Sequence, residues 1–333
     1  MIPKADVHLH QEWSPRLDRV LARRAGRAPF DWSAWRGDLL AVVPPGMARL
    51  QRLSQVFPAP AAADDDEAFV ERVADTLRES AEGGSIYTEV RFGNDLVLRP
   101  GFMELFRRAE GLVRAEHPVF YAEAIAAVAM YAEPERLAAV LDGCAARAAD
   151  GLGGVDLLYV PYATEANWRQ GALVVEQAAE AGLGVTVHAG EFSTANIAAV
   201  AQLDGVSRIG HATQAWRDPW LLDLLAERAV TVECCLSCNV FLGAVTRLGD
   251  HPLRRFREHG IKVALGTDNP VQIGTTIGEE YAAAAQLGLS EAALLDLTRA
   301  GVRAGFTSGE RRAELLAYLD AYANASAPVS SRL

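Results

Sequence analysis

The chain has 333 residues, half of them apolar and 23% charged, a balance that supports a sizeable buried core and excludes general disorder. The 43 acidic and 32 basic residues leave a formal net charge of −11, which excludes extended binding to nucleic acid or to an anionic membrane, since both need a positive footprint. A small anionic substrate held by a few local arginines stays compatible with that balance.

The N-terminus runs directly into Asp6-Val7-His8-Leu9-His10, with no apolar leader before it, and no stretch of about 18 apolar residues predicts a membrane span. The expectation is a soluble, cytoplasmic protein. Side chains on a strand alternate faces, so His8 and His10 point one way while Val7 and Leu9 point the other. Two imidazoles on one side can grip a metal ion, or can simply be a polar strand end.

After this strand come Arg16, Arg19, Arg23 and Arg27, with Arg24 beside them, at helical spacing. The face is either solvated or an anion-recognition surface near the mouth of a site, because guanidinium matches carboxylates and phosphates. Phe30 to Pro60, with Trp32, Trp35, Phe57 and Pro44-Pro45, reads as irregular structure with short helices. Its aromatic content suits core or a lid, and residues 11–63 are expected to form an insert after the first strand. Helical spacing of Phe69, Val73 and Leu77 predicts a helix from Asp64 to Glu82, with Asp64, Asp65 and Asp66 as candidate caps and Gly83-Gly84 as its end.

From there strands and helices alternate. Strands are predicted over 85–92, 121–128, 155–160, 184–188, 207–211, 229–234 and 261–268. Helices are predicted over 102–116, 133–149, 171–181, 193–203, 219–228 and 252–259, and helical sequence then runs to about Ala323. Eight strands separated by helices imply parallel pairing with right-handed crossovers. The fold class expected is α/β, a (β/α)8 TIM barrel with additional helices, in a single domain over 1–333. A doubly wound open sheet is the runner-up, but no G-x-G-x-x-G follows the first strand.

A barrel gathers its strand C-termini at one face, and the polar residues of this chain gather there too. The first strand ends in His8-x-His10, the fifth in His188-Ala189-Gly190-Glu191, the sixth in Gly210-His211 and the eighth in Thr267-Asp268-Asn269. His117 and His259 read as surface residues; His251 follows strand seven and is an exception to consider. Three imidazoles and one carboxylate suit Zn²⁺ with a position left for water, so His8, His10, His188 and Asp268 are the expected ligands of one Zn²⁺ per chain. The bound cation lowers the pKa of its water and creates hydroxide as nucleophile. Glu191 is placed to move protons between that water, the substrate and the leaving group. His211 either orients the hydroxide or stabilises developing charge.

Taken in order, His8-Leu9-His10, Tyr87-Thr88-Glu89-Val90-Arg91-Phe92, His188-Ala189-Gly190-Glu191, Arg208-Ile209-Gly210-His211 and Gly266-Thr267-Asp268-Asn269-Pro270 resemble the motifs of the adenosine deaminase family. The resemblance covers about 260 residues. It implies a zinc-dependent (β/α)8 barrel of the amidohydrolase superfamily that hydrolyses an exocyclic amino group from a purine, releasing ammonia. It carries over His8, His10, His188 and Asp268 as zinc ligands, Glu191 as proton shuttle to the ring nitrogen, and His211 as the hydroxide-orienting histidine. Asp268 is thereby both ligand and catalytic residue, and Asn269, Gly190 and His10 become the expected substrate contacts.

Three departures touch substrate recognition. Asn269 stands where the family usually has a second Asp, and an amide can still donate a hydrogen bond there. Tyr159-Val160-Pro161-Tyr162 replaces a small, glycine-containing turn, and Gln11-Glu12-Trp13 follows His10 in place of a short turn. The resemblance therefore reaches further into the reaction than into the substrate. Adenosine or an adenine-containing nucleoside or purine is expected. Alternatives are an aminohydrolase acting on another small substrate, such as an aminodeoxyfutalosine-like nucleoside, or a non-catalytic barrel. Cytidine-type deaminases fit poorly: His10-Gln11-Glu12 matches H-x-E, but Cys235-x-x-Cys238 is preceded by Cys234 where their motif has proline. Cys144 and these three thiols are expected to be buried or in loops, since no second C-x-x-C completes a thiolate site.

Overall fold

The computed structural model describes residues 2–55, 61–93, 95–159, 164, 166 and 168–326. Its eight strands are β1 (Lys4–His10), β2 (Ser85–Phe92), β3 (Tyr121–Ala129), β4 (Gly154–Leu158), β5 (Gly184–Ala189), β6 (Val206–His211), β7 (Thr231–Cys234) and β8 (Lys262–Leu265). Each pairs in parallel with its successor, in the order β1 to β8. The ring closes where His10 N donates to Asp268 O and Asp268 N donates to His8 O, both at 2.7 Å. This is the TIM barrel that the strand and helix alternation predicts.

Alternation along each strand sorts side chains between the barrel axis and the helical layer. In β1, Ala5 and Val7 face outward against Leu295, Val302, Leu315 and Leu319. Asp6 and His8, fully buried, face the axis. On the opposite flank Phe69, Phe92, Phe102 and Phe106 form an edge-to-face cluster between strand and helices. Burying such a ring stabilises the fold by about 1.5–3 kcal/mol.

Among the described residues four α-helices precede β2: α1 (Trp13–Arg24), α2 (Trp32–Val42), α3 (Met47–Leu53) and α4 (Asp66–Glu82). The last begins on Asp65, whose side chain accepts from Ala68 N at 2.7 Å. Asp64 instead pairs with the buried Arg72 at 2.8 Å. The arginine face requires correction. Its helix ends at Arg24, so Arg27 lies beyond it, and the guanidiniums meet carboxylates of this same chain. Arg16 and Arg19 both donate to Glu79, Arg23 donates to Asp75 at 2.8 Å and Arg24 to Glu71 at 2.8 Å. A basic helix lying on an acidic one satisfies both, so this face is not an anion-recognition surface.

Other differences are local. The helix expected over 193–203 is only Ile197–Ala201, because Asn196 before it sits at φ 72°. Strand four stops at Leu158, and Val160 lies outside the described residues, as do Phe57, Pro60, Pro161 and Tyr162. Strand eight stops at Leu265 instead of Asp268. A Cβ on Gly266 would lie 2.3 Å from that of His8, so the chain leaves the sheet there in close contact with β1. All four cysteines are buried free thiols. No described helix is long and apolar enough to cross a membrane.

Candidate metal centre and active site

The C-terminal ends of β1 and β5 aim three imidazole nitrogens at one point. His8 Nε2 lies 3.1 Å from His188 Nε2, and His10 Nε2 lies 3.3 Å from the same atom. Asp268 Oδ1 is 3.5 Å from His10 Nε2. Behind them, His8 Nδ1 meets Glu233 Oε2 at 2.7 Å and His188 Nδ1 meets Asp156 Oδ1 at 2.9 Å. Carboxylates only accept, so both Nδ1 atoms carry the proton and both Nε2 atoms present lone pairs. Two lone pairs 3.1 Å apart repel unless a cation lies between them. Tetrahedral zinc, with bonds of about 2.0–2.1 Å, spaces its nitrogen ligands by roughly 3.4 Å. The donor set fits such an ion. Burial, then the charge on Arg91, holds His8 well below the ordinary imidazole range, neutral as a ligand must be.

Arg91, wholly buried in β2, organises the carboxylates beneath the histidines. Its Nε donates to Asp156 at 2.5 Å, its Nη2 to Glu233 at 2.6 Å and its Nη1 to Val7 O at 2.7 Å. Glu233 also accepts from Thr186 Oγ1 at 2.9 Å and lies 2.7 Å from Arg208 Nε. One guanidinium thus bridges the two carboxylates that orient two candidate ligands.

Above this layer sits the remaining machinery. Glu191 is buried beside Asn239, whose Nδ2 lies 3.3 Å from Glu191 Oε1 and 3.2 Å from His211 Nδ1. His211 Nε2 points toward Asp268 Oδ2 at 3.8 Å. Burial, then the Asp268 carboxylate, pushes Glu191 well above the ordinary carboxyl range, as a general acid requires. Burial also keeps His211 neutral. The backbone is bent to achieve this: His211, Ala212 and Asp268 sit at φ 68°, 46° and 62°. Such left-handed residues cost of order 1–3 kcal/mol each and cluster at functional sites.

His10, His188, Glu191, His211, Asp268 and Asn269 open on a cavity of about 730 Å³ that is also lined by Met47, Leu50 and Gln51 of α3 and by Tyr131. Asn269 donates to Asp268 Oδ1 at 2.6 Å, so one of its two N–H groups is held by that carboxylate. Gly190 makes the turn between His188 and Glu191 at φ 75°, where a Cβ would stand 2.6 Å from Ile197. Only glycine fits that turn.

Sequence reasoning did not assign Asp156, Glu233, Arg91 or Asn239. The first three had a signal: a charge inside a buried strand, as in Val155-Asp156-Leu157, has to be paired in the barrel. Asn239 had none. It follows β7 on a helix, Leu236–Leu242, absent from the predicted elements.

The fold is thus a parallel (β/α)8 barrel that brings three histidines and an aspartate together at its strand ends. The model of the adenosine deaminase family matches residues 3–322, and the chain belongs to that family. Adenosine deaminase of Serratia proteamaculans is 39% identical over 137 residues, 40% of this chain and 41% of that protein. Aminodeoxyfutalosine deaminase of Streptomyces coelicolor is 41% identical over 133 residues, 39% of this chain and 34% of that one. These alignments span less than half the length of the curated relatives. The crystal structure of adenine deaminase from Arthrobacter aurescens superposes with a TM-score of 0.78 at 23% identity, covering 97% of this chain and 100% of that chain, which establishes the shared fold.

Proposed function

We infer that the protein is a zinc-dependent hydrolytic deaminase acting on adenosine or an adenine-containing nucleoside or purine derivative, with release of ammonia. The observation that carries this reading is that the ring nitrogens of His8, His10 and His188 lie together, with Asp268 against His10, and that the buried Glu191 lines the same cavity as His10, His188 and Asp268. His8, His10, His188 and Asp268 would hold one Zn²⁺. A bound zinc lowers the pKa of water toward neutrality, which makes a nucleophile available at neutral pH.

The chain's own residues supply the rest. Glu191 delivers a proton to the ring nitrogen next to the amino-bearing carbon, so that negative charge need not build on the purine. Asp268 and His211, 3.8 Å apart, can both contact one incoming water from the same side and so fix its direction of attack. His10, the second N–H of Asn269 and the backbone at Gly190 face the purine. Residues 11–63 act as a lid within a single domain, since α3 lines the cavity with Met47, Leu50 and Gln51 and keeps bulk water from the reacting atoms. The Streptomyces coelicolor relative extends the candidate substrates to modified adenine nucleosides.

The test is ammonia release by zinc-loaded protein from adenosine, adenine, adenine nucleotides and 5′-modified adenine nucleosides. Turnover of at least one is expected, and silence across the panel would overturn the reading. The Glu191→Gln variant should keep its zinc and lose about 10²–10⁴-fold in kcat, the usual contribution of a positioned acid–base group.

A further inference from the structure

His251 and Asn239 belong to none of the motifs that define the reaction, yet they connect directly to it. His251 is 4% exposed and lies in the connection between β7 and β8. The backbone N–H of Leu253 donates to its Nδ1 at 3.2 Å. Burial pushes this imidazole down to about 3, so it is neutral and holds a single proton. With Nδ1 accepting, that proton is on Nε2, which faces Asn239 Oδ1 at 3.1 Å.

This fixes the orientation of the Asn239 amide. Its oxygen accepts from His251 and from Thr213 Oγ1 at 3.1 Å, so its NH₂ group is the end that meets Glu191 Oε1 and His211 Nδ1. An N–H directed at His211 Nδ1 makes that nitrogen an acceptor. The ring proton of His211 then resides on Nε2, the nitrogen facing Asp268 and the converging ligand atoms.

We propose that His251 is a positioning residue that, through Asn239, sets the His211 tautomer and holds the Glu191 carboxyl in place. A flipped Asn239 would put a carbonyl oxygen against Glu191 and leave His211 free to take the opposite tautomer. The backbone N–H of Leu253 is thus the fixed donor from which the polarity of the whole chain of hydrogen bonds follows. The catalytic part of this inference rests on the deaminase reading above; the tautomer part does not.

The test separates them. In ¹⁵N-histidine-labelled protein, the ring nitrogens of His211 report the tautomer by NMR without turnover. The wild type should show the proton on Nε2, and a proton on Nδ1 would overturn the proposal. His251→Leu should give a mixture of tautomers. Its kcat should fall about 10- to 100-fold, part of what a positioned acid–base pair contributes, with KM and metal content little changed. His251→Gln, which can still donate to Asn239, should recover much of that loss. In His251→Ala, free imidazole should restore activity, since His251 borders an outer cavity of about 760 Å³ lined also by Gln214, Trp216 and Arg255. A folded His251→Leu protein with one His211 tautomer and full kcat overturns the relay. If no adenine compound is turned over while the tautomers behave as stated, the deaminase reading fails and the positioning role stands.

Discussion

Two groups of arginines in this molecule meet carboxylates in opposite surroundings. Arg91 and Arg208 lie at the barrel axis, with side chains wholly removed from water, and hold Asp156, Glu233 and Glu89. Arg19, Arg23 and Arg24 lie along α1 and meet Glu79, Glu71 and Asp75 of α4, with Arg23 about half exposed. The pairings resemble each other on paper, but the solvent separates them. At the surface water replaces a lost partner and salt screens what is left. At the axis nothing replaces it, so each charge requires its counterpart. Placing paired charges beneath the candidate metal ligands gives those ligands fixed orientations, and this is the gain set against the cost of burying them.

Breaking the inner group should have the largest effect. Arg91→Leu removes the cation that Asp156 and Glu233 share, leaving only Arg208 beside Glu233, and should destabilise the fold by about 3–5 kcal/mol in urea denaturation. A loss under 1 kcal/mol would mean that water reaches the axis. Glu233→Gln keeps the shape but removes the charge behind His8, and should weaken zinc binding about 10- to 100-fold in competition with a chromogenic chelator. Arg16 marks the border between the two groups: its own side chain is 1% exposed, whereas its partner Glu79 is 43% exposed. Arg16→Met should therefore cost an intermediate amount, about 1–2 kcal/mol. Smallest of all, Arg23→Ala should change stability by no more than about 1 kcal/mol, and 0.5 M salt should erase the difference in melting temperature. If Arg23→Ala proved as damaging as Arg91→Leu, burial would not be what distinguishes the two groups.

Metal removal tests the same layer from above. Without a cation the lone pairs of His8 and His188 face each other at 3.1 Å, so chelation should lower the melting temperature. Adding zinc back at 100 times its Kd should return about 2.7 kcal/mol of stability by mass action.

Much of this was legible in the chain because it obeys local rules. The period of two along Asp6-Val7-His8-Leu9-His10 places two imidazoles on one side, and strand–helix alternation places His188 and Asp268 at the same end of a barrel. Phe102–Glu116 and Ser85–Phe92 have the limits expected from their apolar spacing and flanking glycines. The sequence left the arginine face open between a solvated face and an anion surface, because spacing on one helix says nothing of what lies opposite it. Asn239 was missed for a related reason: nothing in Ser237-Cys238-Asn239 distinguishes an amide on a short helix from one on any surface.

What the sequence determined by itself was therefore the repeating unit and the face on which the histidines stand, since both follow from bond geometry between near neighbours. The tertiary structure decided which charges answer one another: Arg91 with Asp156 and Glu233, and His251 with Asn239 and then Glu191 and His211. These partners are far apart along the chain or lie on different elements. They meet only when the ring closes and water is excluded, and it is exclusion of water that gives each of these contacts its strength.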